Sequence, residues 1–214
     1  MTKTMTIEKQ AQLPALRWKF CIKNFCAVKL NHLHRMTAFI FLLFFFPFVA
    51  QAQFSNTKET LDYKIIIQEG LHKNGRFLNL SGGKLGDEGL KYLLTDPGLG
   101  KITKLDLRYN KISPEGAKFL AQSTAFKKLK ILILRHNFLA DQGAVNLAQS
   151  KGFANLVELQ LGWNEIRDQG ALALSQSKSF PKLKKLDLRG NFLADSTKIS
   201  LGKSFAHLKS LKLF

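Results

Sequence analysis

Arginine and aromatic residues recur in this chain at one fixed spacing, and the chemistry such side chains do best is recognition of another surface. Arg108, Arg135 and Arg189 fall on a 27-residue grid whose remaining place is filled by Gly162. Tyr109, His136 and Trp163 keep the same step one residue later, and Gly190 ends that row. Tyr, Trp and Arg are the types most enriched where binding energy concentrates. Catalytic groupings do not form from the rest of the chain. Beyond residue 52 the histidines are His72, His136 and His207, each isolated from any nucleophile-and-base pattern. Gly82-Gly83 lacks the spacing of a phosphate loop. Asp and Glu take no metal-ligand spacing. No catalytic residue, metal ligand or cofactor is expected.

The grid belongs to a longer phrase. Asparagine stands at Asn110, Asn137, Asn164 and Asn191, each step being 27 residues. A Leu-x-Leu pair precedes each one: Leu105/Leu107, Leu132/Leu134, Leu159/Leu161 and Leu186/Leu188. Three residues before each pair sits another apolar side chain, at Ile102, Leu129, Leu156 and Leu183. The pattern is L-x-x-L-x-L-x-x-N-x-L, as in L-K-K-L-D-L-R-G-N-F-L from Leu183 to Leu193. A fixed period of this length means a solenoid. Leu-x-Leu alternation predicts a short strand with its leucines turned into the core. The residues between them, including Asp106, Arg108, Ile133, Arg135, Gln160, Asp187 and Arg189, are then expected to face away from it.

Helix starts come after each turn. Asp87, Asp141, Asp168 and Asp195 are expected as N-caps, and Ser113 before Pro114 takes that role in the second repeat. Apolar residues at helical spacing come next, as in Ala117/Leu120/Ala121, Ala144/Leu147/Ala148 and Ala171/Leu174. A large apolar residue closes each loop: Leu99, Phe126, Phe153, Phe180 and Phe205. One strand and one helix per repeat predict an α/β solenoid, with a curved parallel sheet inside and helices outside. About five repeats and a terminal strand fit the length. Parallel neighbours stand about 4.8 Å apart, so equivalent side chains form rows. Arg108 beside Arg135 then places like charges together, relieved by Asp106 and Asp187 two residues away.

From about residue 78 to 214 the chain resembles the leucine-rich repeats of the ribonuclease-inhibitor type. Gly170-Ala171-Leu172-Ala173-Leu174 is also similar to the G-A-L-A phrase of repeats in some translocated bacterial effectors. The first round departs from the pattern with Gly83 in the asparagine's place. The resemblance implies that function lies on the concave face of the sheet. It implies that the residue before each asparagine (Tyr109, His136, Trp163) is exposed there, and that Asn110, Asn137, Asn164 and Asn191 bond turn backbone inside the stack. The partner-binding set expected is Asp106, Arg108, Tyr109, Ile133, Arg135, His136, Gln160, Trp163, Asp187 and Arg189.

Residues 1–52 are of another kind. Seven Lys/Arg against one acid, Glu8, precede the apolar run from Met36 to Ala50, and Ala50-Gln51-Ala52 closes it. A basic flank, a short apolar core and a small-residue site describe a secretory signal peptide cleaved near Ala52. That reading implies a secreted, periplasmic or cell-envelope location. The alternative is an uncleaved membrane anchor over residues 36–52, which implies a surface-anchored adhesion or scaffold protein, although a spanning helix needs about 20 apolar residues and Pro47 shortens the run. Both cysteines, Cys21 and Cys26, fall in this part, so residues 53–214 carry no disulfide or thiolate. Stacked repeats bury a continuous core without such staples. Residues 53–77 show no repeat. Asn56 and Glu59 have capping-box spacing, and Leu61, Ile65 and, less regularly, Ile66, Ile67 and Leu71 suggest one face of an N-terminal cap helix.

Two further partner readings come from charge and from the chain's end. Past residue 52 there are 26 basic and 14 acidic residues, a net charge of +12. Lysines gather just before the strands, at Lys101/Lys104, Lys127/Lys128/Lys130, Lys182/Lys184/Lys185 and Lys209/Lys212. Such a rim attracts an anionic surface or polyanion, with no specific nucleic-acid motif beside it. Leu208 to Leu213 opens a sixth strand, whose open edge is expected to pair with a second copy or to mark a shortened gene product. A protein ligand remains the first expectation.

Overall fold

The computed structural model describes residues 63–214. The signal-peptide or anchor segment, the Asn56/Glu59 capping box and Leu61 lie outside the described residues. Helix α1 covers residues 63–70, and its buried contact with the core is Ile67, flanked by Tyr63 and Ile66. Ile65 and Leu71 point to solvent, so the apolar face is centred two residues beyond the one expected from Ile65.

Strand and helix then alternate. The strands are β1 (Phe77–Asn79), β2 (Lys104–Asp106), β3 (Ile131–Ile133), β4 (Glu158–Gln160), β5 (Lys185–Asp187) and β6 (Ser210–Lys212). The helices between them are α2 (Gly86–Leu93), α3 (Pro114–Gln122), α4 (Ala140–Ala148), α5 (Asp168–Ser175) and α6 (Asp195–Ser204). A 3-10 turn, Pro97–Lys101, lies between α2 and β2. All six strands form one parallel sheet in chain order. Its register tracks the repeat: Leu78, Leu105, Leu132, Leu159, Leu186 and Leu211 stand side by side.

The core is the space between this sheet and the helix layer. Leu105, Leu107, Leu132, Leu134, Leu161 and Leu188 are fully buried there, met from the helix side by Ala117, Leu120, Ala144, Leu147 and Ala171. Leu99, Phe126, Phe153, Phe180 and Phe205 close the loops from inside, all of them buried. Leu211 and Leu213 pack partly against the same cluster. Each repeat therefore buries its apolar face only by stacking on its neighbours, as a solenoid requires.

The asparagines bond the turns together. Asn137 accepts from the backbone N–H groups of Asn110 and Ile112 and donates to the carbonyls of Leu107 and Leu134. Asn191 does the same for Asn164, Ile166, Leu161 and Leu188. Asn110 accepts from Leu85 N–H and donates to the carbonyls of Leu80 and Arg108. Asn164 donates to Leu134, Leu161 and Gly162, but its buried Oδ1 receives no donor.

The helix starts correct one expectation. Ser113 does cap α3, its hydroxyl accepting from Glu115 N–H. The aspartates do not cap their own helices: α2, α4, α5 and α6 have no side-chain cap bond. Three of these carboxylates instead reach the next repeat. Asp87 accepts from the N–H and hydroxyl of Ser113. Asp141 accepts from the N–H groups of Arg167 and Gly170, each at 2.8 Å, and Asp168 accepts from Ala194 N–H at 2.9 Å. The physical need is unchanged, since the first N–H groups of a helix lack intrahelical partners. Here the acceptor comes from one repeat upstream, which makes a helix cap into a tie between repeats. Gly170 leaves room for the Asp141 carboxylate, which a Cβ would strike.

Candidate binding face

Three rows of side chains run across the strands at their C-terminal ends. The outermost is aromatic. Tyr109, His136 and Trp163 all adopt left-handed backbone, with φ of 57°, 55° and 56°. Three successive repeats thus turn the same position outward at the same angle. Their rings stack nearly parallel: 4.3 Å between the centroids of Tyr109 and His136, with 11° between planes, and 4.7 Å and 12° between His136 and Trp163. Tyr109 and Trp163 remain exposed. Gly190 occupies the fourth place, with the Trp163 indole against it.

The second row is the guanidiniums. Arg108 holds Asp106 through Nε at 2.9 Å and Nη2 at 2.8 Å, and Arg189 holds Asp187 through Nε at 3.0 Å and Nη2 at 2.8 Å. The same carboxylates accept the backbone N–H of these arginines. Arg135 has no such partner. Its Cζ stands 4.7 Å from the centre of the Trp163 ring, and Arg189 approaches the same ring at 5.8 Å. Gly162 fills the remaining place in the row.

The third row lies one residue pair earlier. Asp106 is 2% exposed, Asp187 7% and Ile133 7%, so three residues expected on an open face are covered by their neighbours. Alternation puts them on the concave side, but rows about 4.8 Å apart leave short side chains beneath long ones. Gln160 is half-buried and donates to Glu158, which in turn pairs with Lys185 at 3.5 Å. Of the ten residues expected to meet a partner, Arg108, Tyr109, Arg135, His136, Gln160, Trp163 and Arg189 present surface.

Charge and burial set the ionisation of this face. Burial, then the charges of Arg135 and Arg108, lower the pKa of His136. Burial works against ionising Asp187, but the side-chain and backbone hydrogen bonds from Arg189 and the charges of Arg189 and Arg135 outweigh it, leaving its pKa below the usual value.

Two features escaped the sequence reading. Phe138 and Phe192, each just after a repeat asparagine, are 52% and 62% exposed, and Arg167 lies 5.7 Å from the Phe192 ring. Their signal was a phenylalanine at a place where the other repeats carry Lys111 and Glu165. At the opposite ends of the strands the basic rim closes into an open hollow of about 820 Å³, lined by Lys73, Arg76, Lys101, Lys128 and Lys130 with Thr103 and Asn155. Among the described residues none of these five cations has an ion-pair partner. The described residues hold no cluster of His, Cys, Asp and Glu suited to a metal ion, and no helix among them is long and apolar enough to cross a membrane.

Residues 76–94, 101–121 and 154–175 match the family model described as Leucine Rich repeat. With the strand-and-helix solenoid, these matches make the chain a leucine-rich repeat protein. Such repeats commonly mediate protein binding, and the family is typically non-enzymatic. No curated protein matches the chain.

Proposed function

We propose that the chain is an exported leucine-rich repeat protein that binds a protein partner through its concave face. Residues 1–52 act as the export signal, α1 and its flanks (53–77) cap the first repeat, and residues 78–214 present the binding surface. The observation that carries this reading is the exposed stack of Tyr109, His136 and Trp163 beside the row of Arg108, Arg135 and Arg189. Aromatic side chains are large and lose little freedom on contact, and together with arginine they are the types enriched where binding energy concentrates at protein interfaces. Aligning three rings before any partner arrives removes part of the ordering cost of association. Affinity capture with the full chain, then quantified binding of the captured protein to Trp163→Ala and Arg135→Ala, tests the surface. Each change is expected to weaken binding by about 2 kcal/mol or more with little change in melting temperature. Normal binding by both would move the interface elsewhere. N-terminal sequencing of exported material separates cleavage near Ala52 from retention of residues 36–52 as an anchor.

A second reading is favoured by the hollow at the other ends of the strands. Five cations converge there without a carboxylate among the lining residues, which suits an anionic polymer. Binding through that rim would fall steeply with added salt and would be lost on Lys101→Glu with Lys128→Glu, while Trp163→Ala would leave it intact.

A further inference from the structure

The row Arg108, Arg135, Arg189 is built to one plan with a single omission. Arg108 and Arg189 each fold back onto an aspartate two residues earlier on the same strand, Asp106 and Asp187. At the equivalent place before Arg135 stands Ile133, which is buried and carries no charge. Among the described residues no carboxylate lies within ion-pair distance of Arg135, although the other two arginines of the row are neutralised. Its Nε is buried and finds no protein acceptor. The side chain is nevertheless fixed, because its guanidinium lies 4.7 Å from the Trp163 ring centre. Gly162, next along the row, has no side chain to lay over it; a Cβ there would press on the Arg189 carbonyl oxygen at 3.0 Å and touch Arg135 Nε and Asp187 Oδ1, each at 3.7 Å.

A held guanidinium with no carboxylate partner, beside a position that bears no side chain, is a receptor for a planar oxyanion. We propose that Arg135 is the seat of a carboxylate supplied by the protein partner, an acidic side chain that brings the charge Ile133 lacks. The inference rests on the concave-face reading and names the group that face selects. One unmatched positive charge calls for one negative charge, because Arg108 and Arg189 are already held by Asp106 and Asp187, and Glu158 pairs with Lys185. A protein partner supplies that single charge as the carboxylate of Asp or Glu. The partner acid completes a run of three arginine–carboxylate pairs across the face, two made within the chain and one made only in the complex. The aromatic stack supplies contact area and Arg135 supplies selection.

The test uses the full chain carrying Trp18→Phe, which leaves Trp163 as the one tryptophan of the two in the sequence. Benzoate and its uncharged counterpart benzamide are titrated separately while Trp163 emission is monitored. Benzoate is expected to perturb the emission at a concentration about tenfold lower than benzamide, the preference expected of a charge-assisted pair. Arg135→Gln removes the preference, Lys118→Gln on the exposed face of α3 leaves it, and Arg135→Lys keeps only part because the fork is lost. An equal response to both probes, or a preference that survives Arg135→Gln, overturns the assignment. With a captured partner the two readings separate. If Trp163→Ala and Arg135→Ala both leave partner binding unchanged, the concave-face reading itself fails. If Trp163→Ala weakens binding but no partner Asp or Glu couples to Arg135 in a double-mutant cycle, only the carboxylate seat fails.

Discussion

The indole of Trp163 rests against the bare α-carbon of Gly190, the residue that occupies its own turn position one repeat later. A Cβ at Gly190 would collide with the ring, and the backbone there is left-handed at φ +67°. The aromatic row therefore ends where it does because the next position has no side chain to displace. Gly190→Ala is expected to cost about 1–2 kcal/mol for the left-handed backbone alone and to push the indole toward solvent. A denaturant melt together with a red shift of Trp163 emission reads both effects. Gly202→Ala makes the contrast, because Gly202 lies in α6 with nothing near its would-be Cβ. It should stabilise by about 0.5–1 kcal/mol. A Gly190→Ala protein as stable as the parent, with unshifted emission, would mean that the ring does not sit on that glycine.

The aspartates of the turns differ in what they hold, and so should their substitutions. Asp141 accepts two backbone N–H groups of the next repeat, while Asp195 makes only an exposed pair with Lys198. Asp141→Ala is expected to cost about 1–3 kcal/mol, since it strands donors at the start of α5, and Asp195→Ala should stay within about 0.5 kcal/mol. Equal losses measured by chemical denaturation would remove the case for ties between repeats.

How much of this could be read in advance depends on the reach of each interaction. The strands, the buried leucines and the closing phenylalanines were legible because a two-residue alternation inside a 27-residue period fixes which way each side chain turns. The role of Asp141 was not, because a carboxylate near a helix start reads as that helix's own cap. Its partners Arg167 and Gly170 lie 26 and 29 positions further on. The recurrence of Asp141, Asp168 and Asp195 on the repeat grid was the available clue. Alternation puts Asp106 and Arg108 on one face, as found, yet it says nothing of depth, and Asp106 is buried beneath the guanidinium it binds. In α1 the short apolar run Ile65, Ile66, Ile67 gave no period from which to choose the buried member.

His136 should titrate below its ordinary value of 6.5, because burial and the charges of Arg135 and Arg108 disfavour the imidazolium. The unfolded chain takes up that proton near 6.5, whereas the folded ring does so only at lower pH. Between the two values the unfolded state holds more protons, so stability falls as pH drops through that window and is unaffected above it. NMR titration of the His136 ring protons should show the lowered midpoint. The loss of melting temperature on acidification should be smaller in His136→Gln. A midpoint at or above 6.5 would show that the two arginines do not govern this ring.

The repeat asparagines offer the sharpest check on the stack, because two of them are bonded differently. Asn137 accepts from two buried N–H groups, those of Asn110 and Ile112, and donates to the carbonyls of Leu107, Leu134 and, at 3.4 Å, Arg135. Asn164 donates to three carbonyls, but its Oδ1 is buried without a donor. Removing an acceptor strands N–H groups that have one proton to place, whereas carbonyls with two lone pairs tolerate a lost donor better. Both alanine substitutions should destabilise, at about 1–3 kcal/mol, with Asn137→Ala the more costly. Leu161→Ala, which empties a fully buried site between them, should cost about 2–5 kcal/mol. All three can be ranked by urea melts at one pH. If Asn164→Ala proved the costlier asparagine change, the turn of the fourth repeat would have to bond as the others do, with Oδ1 taking the N–H groups of Asn137 and Leu139.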